Sequence, residues 1–206
     1  MAKLDFWFSI GSTYTYLTVA RLPAIADARG VAVRWRPFNV RAIMIEMDNI
    51  PFANKPIKAA YMWRDVARRA ALHGLTPRLP VPYPLTELER ANRVAVIAAD
   101  EGWAAEYVRA SYRRWLEDGL AAGSEPNISD SIREAGADPA AVLARADAAE
   151  GVEGLAAATD EAREAGVFGS PTFVVAGELF WGDDRLEDAL AWIERPALPP
   201  AAPVDR

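Results

Sequence analysis

Two hydroxyl side chains, Ser12 and Thr13, stand where an apolar segment gives way to an amphipathic one. Residues 4–10 are rich in aromatic and branched side chains and predict a strand, whereas residues 14–29 place apolar side chains near one helical face. The hydroxyls are therefore predicted at a helix N-terminus, where main-chain amides favour an anion such as a thiolate. Serine is also a frequent N-cap. From this segment alone, a structural cap and an anion-binding group both remain open.

Further polar residues lie near the other end of the chain. Ser170 and Pro171 precede a predicted strand, a place where proline is most often an ordinary edge or turn residue. Asp183 and Asp184 open the last predicted helix, where the macrodipole by itself favours acidic residues. Taken singly, none of these residues indicates a function.

The composition excludes several classes of protein. The chain has 206 residues, no cysteine and 1 histidine, so disulfides, a redox dithiol and thiolate or histidine-rich metal sites are excluded. The net charge of -6 argues against nucleic acid and anionic membranes as partners. The N-terminus leads into the predicted first strand without a secretory signal, and no apolar run is long enough to span a bilayer. We therefore expect a cytoplasmic protein.

The predicted elements at the two ends of the chain form one α/β frame. Residues 4–10, 14–29 and 31–38 predict a β-α-β unit, whose short crossover requires parallel strands. Residues 172–181 predict an antiparallel hairpin, and residues 184–193 predict a closing helix. The polar residues described above lie at the starts of elements within this frame.

The middle of the chain is predicted to be helical. Its periodicity predicts helices over residues 61–72, 86–102, 104–120, 129–135, 139–149 and 152–165. Four prolines between residues 76 and 84 predict an extended connector. We divide the chain into an α/β domain of residues 1–41 and 166–195, an inserted helical domain of residues 42–165, and a flexible tail of residues 196–206.

Several motifs in this order resemble those of the 2-hydroxychromene-2-carboxylate isomerases. This family belongs to the group that includes the kappa-class glutathione transferases and the DsbA-like oxidoreductases. The motifs are Asp5-Phe6-Trp7-Phe8 before Ser12, Trp35-Arg36-Pro37-Phe38, Asn49-Ile50-Pro51, residues 56–62, residues 166–173 and residues 180–186. The resemblance implies an α/β thioredoxin-like fold with a large all-helical insertion.

The resemblance also implies a glutathione site. Ser12 matches the serine that hydrogen-bonds the glutathione sulfur, and Ser170 precedes a cis-proline, Pro171, so that its main chain pairs with the cysteinyl unit. Asp183 and Asp184 match the place that holds the γ-glutamyl group, and Asp184 is the better match.

For the substrate, the resemblance implies that Asn49 and Lys58 lie near the active site, with the lysine available for a carboxylate. Tyr61, Trp63 and Trp7 are candidates for the wall of an aromatic pocket, although core packing is the commoner fate of such rings.

The implied activity interconverts 2-hydroxychromene-2-carboxylate and trans-o-hydroxybenzylidenepyruvate, with glutathione as a recycled nucleophile and a homodimer as the usual assembly. Two alternatives remain: a kappa-like transferase or peroxidase that acts on another electrophile, and a thioredoxin-like binding domain without catalysis. The chain departs from the family pattern at Ser9, Gly11 and Thr13, where aspartate, a larger apolar residue and proline are usual. We expect Gly11 to open space beside the sulfur.

Overall fold

A mixed four-stranded sheet lies at the centre of the protein. The computed structural model describes residues 2–50, 52 and 55–194. The strands are β1 (Lys3–Phe8), β2 (Ala32–Pro37), β3 (Thr172–Val175) and β4 (Glu178–Trp181). They lie in the order β2-β1-β3-β4, with β1 parallel to β2 and antiparallel to β3, and with β3 antiparallel to β4. The predicted parallel pair and the predicted hairpin are both confirmed.

Helix α1 (Thr13–Arg29) makes the crossover between the two parallel strands. It ends where Gly30 takes a left-handed conformation (φ 63°), which glycine adopts without steric cost. Helix α1 follows β1 directly, so it begins at the carboxyl end of β1. It then returns the chain to the opposite edge of the sheet, where the parallel strand β2 starts. That geometry sets Ser12 at the edge of the sheet.

The helical segment differs from its prediction at several boundaries. Its helices are α2 (Val40–Glu46), α3 (Pro56–Leu72), α4 (Leu88–Glu101), α5 (Ala104–Leu116), α6 (Asn127–Glu134), α7 (Pro139–Asp147) and α8 (Ala149–Glu164). Helix α2 was not predicted, because its single pair of turns is too short for a clear period; the Asn39 side chain caps it by accepting from Ala42 N at 3.2 Å. The proline-dense connector, residues 76–84, contains no helix, as predicted.

One apolar core joins the sheet to the inserted helices. Phe6 and Phe8 from β1 belong to the same buried cluster as Tyr107, Tyr112 and Trp115 from α5. The chain closes with a short 3-10 turn (Asp183–Arg185) and α9 (Leu186–Glu194), which packs against β3 and β4. The predicted division at residues 42 and 165 stays a prediction, since this core is shared by both parts.

Two predictions concern the ends and the surface of the chain. The predicted flexible tail of residues 196–206 lies outside the described residues. Among the described helices, none combines the length and the apolar character needed to cross a membrane.

Candidate active site

The hydroxyl of Ser12 does not cap α1. Ser12 occupies the N-cap position, but its side chain makes no capping hydrogen bond. Instead its Oγ donates to the main-chain oxygen of Ser170 at 2.6 Å, across 158 positions of sequence. The first turn of α1 contains no acidic residue, so the positive end of the helix dipole is not neutralised there. The structure therefore joins the two predicted motifs and leaves Ser12 beside unneutralised amides.

Two hydrogen bonds fix the side-chain hydroxyl of Ser170. The main-chain N–H of Ser9 donates to Ser170 Oγ at 2.8 Å, and Thr15 Oγ1 lies 2.8 Å from the same atom. The Ser170–Pro171 peptide bond is cis, as the resemblance implies. The Pro171 oxygen accepts from Gly182 N at 2.9 Å, which links this segment to the end of β4.

Two buried side chains that sequence reasoning missed hold the loop between β1 and α1. Asn92 bonds both main-chain groups of Ile10: its Oδ1 accepts from the N–H at 2.8 Å, and its Nδ2 donates to the oxygen at 2.9 Å. The Tyr112 hydroxyl lies 2.9 Å from Ser9 O and 3.0 Å from Ser12 O. Each is a polar side chain on the apolar face of its helix, and this feature of the sequence could have identified it. Such satisfied buried groups fix the position of Ser12.

Gly11 does not leave open space beside Ser12, contrary to the prediction. Its φ is +132°, and a Cβ built there would lie 2.4 Å from Leu88 Cδ1. Leu88 therefore fills the volume that a side chain at position 11 would occupy. Thr13 is buried and begins α1, and Ser9 accepts a hydrogen bond from Val40 N at 3.4 Å.

Replacing Gly11 with alanine is expected to lower the free energy of unfolding by about 1–3 kcal/mol, because the new methyl group meets Leu88 and the backbone conformation is unfavourable. Urea unfolding followed by circular dichroism measures the change. In a Leu88→Ala background the cost of Gly11→Ala should become smaller, because only the backbone part remains. Equal stability of Gly11→Ala and the wild type would contradict this account.

A charged cavity of about 420 Å³ adjoins Ser170; it is lined by Asp65, Arg69, Ser170, Trp181, Asp184 and Arg185 among others. The two predicted aspartates, Asp183 and Asp184, differ in how far their side chains are exposed. The Asp183 side chain is 1% exposed and pairs with Arg21 at 3.0 Å and Arg69 at 2.6 Å. The Asp184 side chain is 50% exposed and pairs with Arg185 at 3.0 Å. Of the two carboxylates, Asp184 remains accessible to a ligand.

Tyr14, in the first turn of α1, lines the charged cavity beside residues of α3. Its hydroxyl donates to Asp65 Oδ2 at 3.0 Å. Burial and this hydrogen bond raise the pKa of Tyr14 well above its ordinary value, so the phenol stays protonated. Burial raises the pKa of Asp65, but hydrogen bonds from Arg68 and Tyr14 outweigh burial and hold that pKa below its usual range. The pair therefore presents a neutral hydroxyl and a carboxylate near neutral pH.

An apolar cavity of about 330 Å³ lies on the other side of Ser170; it is lined by Ser12, Met44, Tyr61, Met62, Tyr83 and Leu88 among others. Tyr14, Tyr61, Ser170 and Trp181 line both cavities, which therefore meet. Gly169 permits this arrangement, because a Cβ there would lie 2.3 Å from the Trp181 indole nitrogen.

Two of the three predicted substrate residues line the apolar cavity. Tyr61 and Lys58 line the apolar cavity, and Lys58 Nζ lies 5.8 Å from the centre of the Phe52 ring. Asn49 is exposed and does not line the cavity, although its neighbour Ile50 does, so its role stays a prediction. Pro51, from the same motif, lies outside the described residues.

Trp7 and Trp63 do not line this cavity; both pack against apolar clusters, which is the commoner fate of such rings. Side chains alternate along a strand, so Trp7 faces away from Phe6 and Phe8 and packs in a second buried cluster with Phe38. Trp63 instead contacts Tyr83 edge to face, with ring centres 5.6 Å apart. Besides the predicted Tyr61, the aromatic walls come from Tyr14, Phe52, Tyr83 and Trp181, which sequence reasoning did not single out as wall residues.

The fold and the site together define a thioredoxin-like domain that presents hydroxyl groups at the helix start where a redox protein needs a dithiol. The chain belongs to the family of the DSBA-like thioredoxin domain, whose model matches residues 3–193. The predicted fold class is confirmed.

Named relatives confirm the resemblance. The chain is 26% identical over 186 residues to a 2-hydroxychromene-2-carboxylate isomerase of Sphingobium xenophagum, with 89% of this chain and 94% of the relative covered. A solved structure of a 2-hydroxychromene-2-carboxylate isomerase matches with a TM-score of 0.83 at 27% identity, over 94% of this chain and 97% of that chain. A shorter match to glutathione S-transferase kappa 1 of Caenorhabditis elegans is 30% identical over 83 residues, 40% of this chain and 36% of the relative.

Proposed function

We propose that the protein is a glutathione-dependent isomerase that interconverts 2-hydroxychromene-2-carboxylate and trans-o-hydroxybenzylidenepyruvate. The observation that carries the proposal is the Ser12–Ser170 hydrogen bond at the start of α1, at the junction of a charged and an apolar cavity. The relatives named as such isomerases support the choice of reaction.

The groups around the charged cavity fit glutathione, a peptide with one ammonium and two carboxylate groups. Asp184 is available for the ammonium of the γ-glutamyl group. The main-chain amides at the start of the 3-10 turn are available for the carboxylate of the same group. The Ser170 main chain is available for the cysteinyl unit. Asp183 serves this site by holding Arg69, which lines the same cavity.

The Ser12–Ser170 hydrogen bond occupies the same two groups that glutathione would use. The Ser12 hydroxyl carries a single proton, so it must turn away from Ser170 O before it can donate to a sulfur atom. That turn also frees Ser170 O to accept a peptide N–H. Binding of the cysteinyl unit and orientation of Ser12 are therefore coupled.

When bound, glutathione supplies a thiolate that adds to the conjugated substrate and is later expelled, so it is regenerated. The protein lowers the cost of the anion through the Ser12 hydroxyl and the amides of α1. A shift of two units in a thiol pKa near 8.5 corresponds to about 2.7 kcal/mol. The apolar cavity accommodates the aromatic ring and limits access of water, and Lys58 lies on its wall as a cation for the substrate carboxylate.

We expect catalytic quantities of glutathione to support many turnovers. The assay incubates the purified protein with the chromene and substoichiometric glutathione, and follows substrate absorbance and free thiol together. Full interconversion with unchanged thiol supports the isomerase. Stoichiometric loss of thiol would instead identify a conjugating transferase, the second candidate, which the match to the kappa 1 transferase favours. Absence of glutathione binding by calorimetry would identify a binding domain without this activity.

Two further parts of the proposal concern assembly and location. We infer a homodimer, and large apolar side chains on the exterior of α3, Ile57 and Leu72, are 87% and 80% exposed and available to a second copy. We infer a cytoplasmic location, where glutathione is held reduced. Light scattering tests the first inference, and cell fractionation tests the second.

A further inference from the structure

Arg41 lies on the wall of the apolar cavity and has no acidic partner among the described residues. It is the second residue of α2 and is half-buried. One of its terminal nitrogens, Nη2, donates to the main-chain oxygen of Leu85 at 3.0 Å. This bond anchors the guanidinium and leaves most of its five N–H donors for another acceptor.

The described lining of the cavity around Arg41 is positive. None of the described residues that line it is aspartate or glutamate, whereas Arg41 and Lys58 are both present. The charged cavity, by contrast, contains Asp65 and Asp184. An aromatic ligand in the apolar cavity is therefore better matched if it carries a negative charge.

Arg41 is better suited than Lys58 to bind that charge. Lys58 is exposed, so water screens its charge and competes for its donors. Arg41 is partly withdrawn from water and anchored, and its planar fork matches a carboxylate with two parallel hydrogen bonds. Two comparable arginines, Arg36 and Arg69, each pair with a carboxylate of the protein itself. At Arg41 that partner is missing from the described residues.

We propose that Arg41 binds the substrate carboxylate and thereby makes the apolar cavity selective for aromatic carboxylates over neutral aromatic compounds of the same shape. The proposal rests on the proposed function only in taking the apolar cavity as the substrate site. Lys58 then serves as a second, weaker cation. Nothing in the sequence singles out Arg41, because α2 was not predicted and a single arginine most often indicates a solvated surface charge.

The test is ligand binding, which requires no turnover. Calorimetry compares trans-cinnamate with cinnamamide, a neutral probe of nearly the same shape. We expect the wild type to bind cinnamate at least about tenfold more tightly, as one charge-assisted bidentate contact provides. In Arg41→Gln the preference should fall to within about twofold, with cinnamamide binding unchanged, whereas Arg41→Lys should keep part of it.

Controls separate this proposal from folding and from the proposed function. Arg64→Gln, which alters an exposed arginine on α3 outside both cavities, should retain the full preference. Glutathione binding should be unchanged in Arg41→Gln, which also verifies that the variant is folded. A wild type that does not distinguish the probes, or a preference that survives Arg41→Gln and disappears in Lys58→Gln, would overturn the proposal. Failure of the isomerase assay alone leaves the probe comparison intact, because the assay measures catalysis and the comparison measures binding.

Discussion

Replacing Ser12 with alanine is expected to raise the thiol pKa of bound glutathione towards its free value and to lower turnover by about 100-fold, the usual cost of removing one donor to a catalytic anion. The physical reason is that Ser12 Oγ is the side-chain donor at the start of α1, and the amides alone stabilise the thiolate less well. Thiolate absorbance is measured against pH in the wild type and the variant. Glutathione affinity should change only modestly, because the charged cavity is unaltered and Ser170 O remains able to accept a peptide N–H.

The hydroxyl can be tested separately from the shape of the site. Ser12→Thr keeps a donor, so the thiol pKa should stay nearer to the wild-type value than in Ser12→Ala. Loss of the bond to Ser170 is expected to cost about 1 kcal/mol of stability, so both variants are compared under conditions in which they are folded. Identical thiol pKa values in the wild type and Ser12→Ala would remove Ser12 from this role.

The second large effect is on stability, and it distinguishes two neighbouring aspartates. Asp183→Asn is expected to lower the free energy of unfolding by about 3–5 kcal/mol, because it leaves the half-buried guanidinium groups of Arg21 and Arg69 without their shared counter-charge. Asp184→Asn should change stability by less than about 0.5 kcal/mol, since the carboxylate is half exposed. It should instead weaken glutathione binding. Urea unfolding measures the first quantity, and calorimetry measures the second.

A matched control lies in the same network. Glu187 also pairs with Arg21, at 2.6 Å, but its side chain is 54% exposed. Glu187→Gln should therefore have a small effect on stability. If Asp183→Asn and Glu187→Gln cost the same, burial of the ion pair would not be the source of the effect. Wild-type glutathione affinity in Asp184→Asn would remove Asp184 from the site.

Local sequence predicted the elements well where one physical signal dominated. The aromatic and branched residues of β1 and the apolar face of α1 each depend on neighbouring residues only, and both predicted elements are confirmed. Helix α2 was missed because its short length gives the period no room to repeat. The sequence left the positions of the aromatic residues open, because such rings suit both a core and a pocket. Trp7 illustrates the difference, since only the pairing of β1 in the sheet decides which face it occupies.

The sequence by itself determined the absence of thiol chemistry from the protein's own side chains, the order of the elements and the family resemblance, because composition and motif order do not depend on packing. The tertiary structure alone decided which polar groups meet. Ser12 and Ser170 are 158 positions apart, and their contact depends on the pairing of β1 with β3. Asp183 and Asp184 differ in burial, and the role that we propose for Arg41 depends on its place on a cavity wall where the described residues include no carboxylate. Burial and the distance between remote residues are properties of the packed chain, so no local pattern contains them.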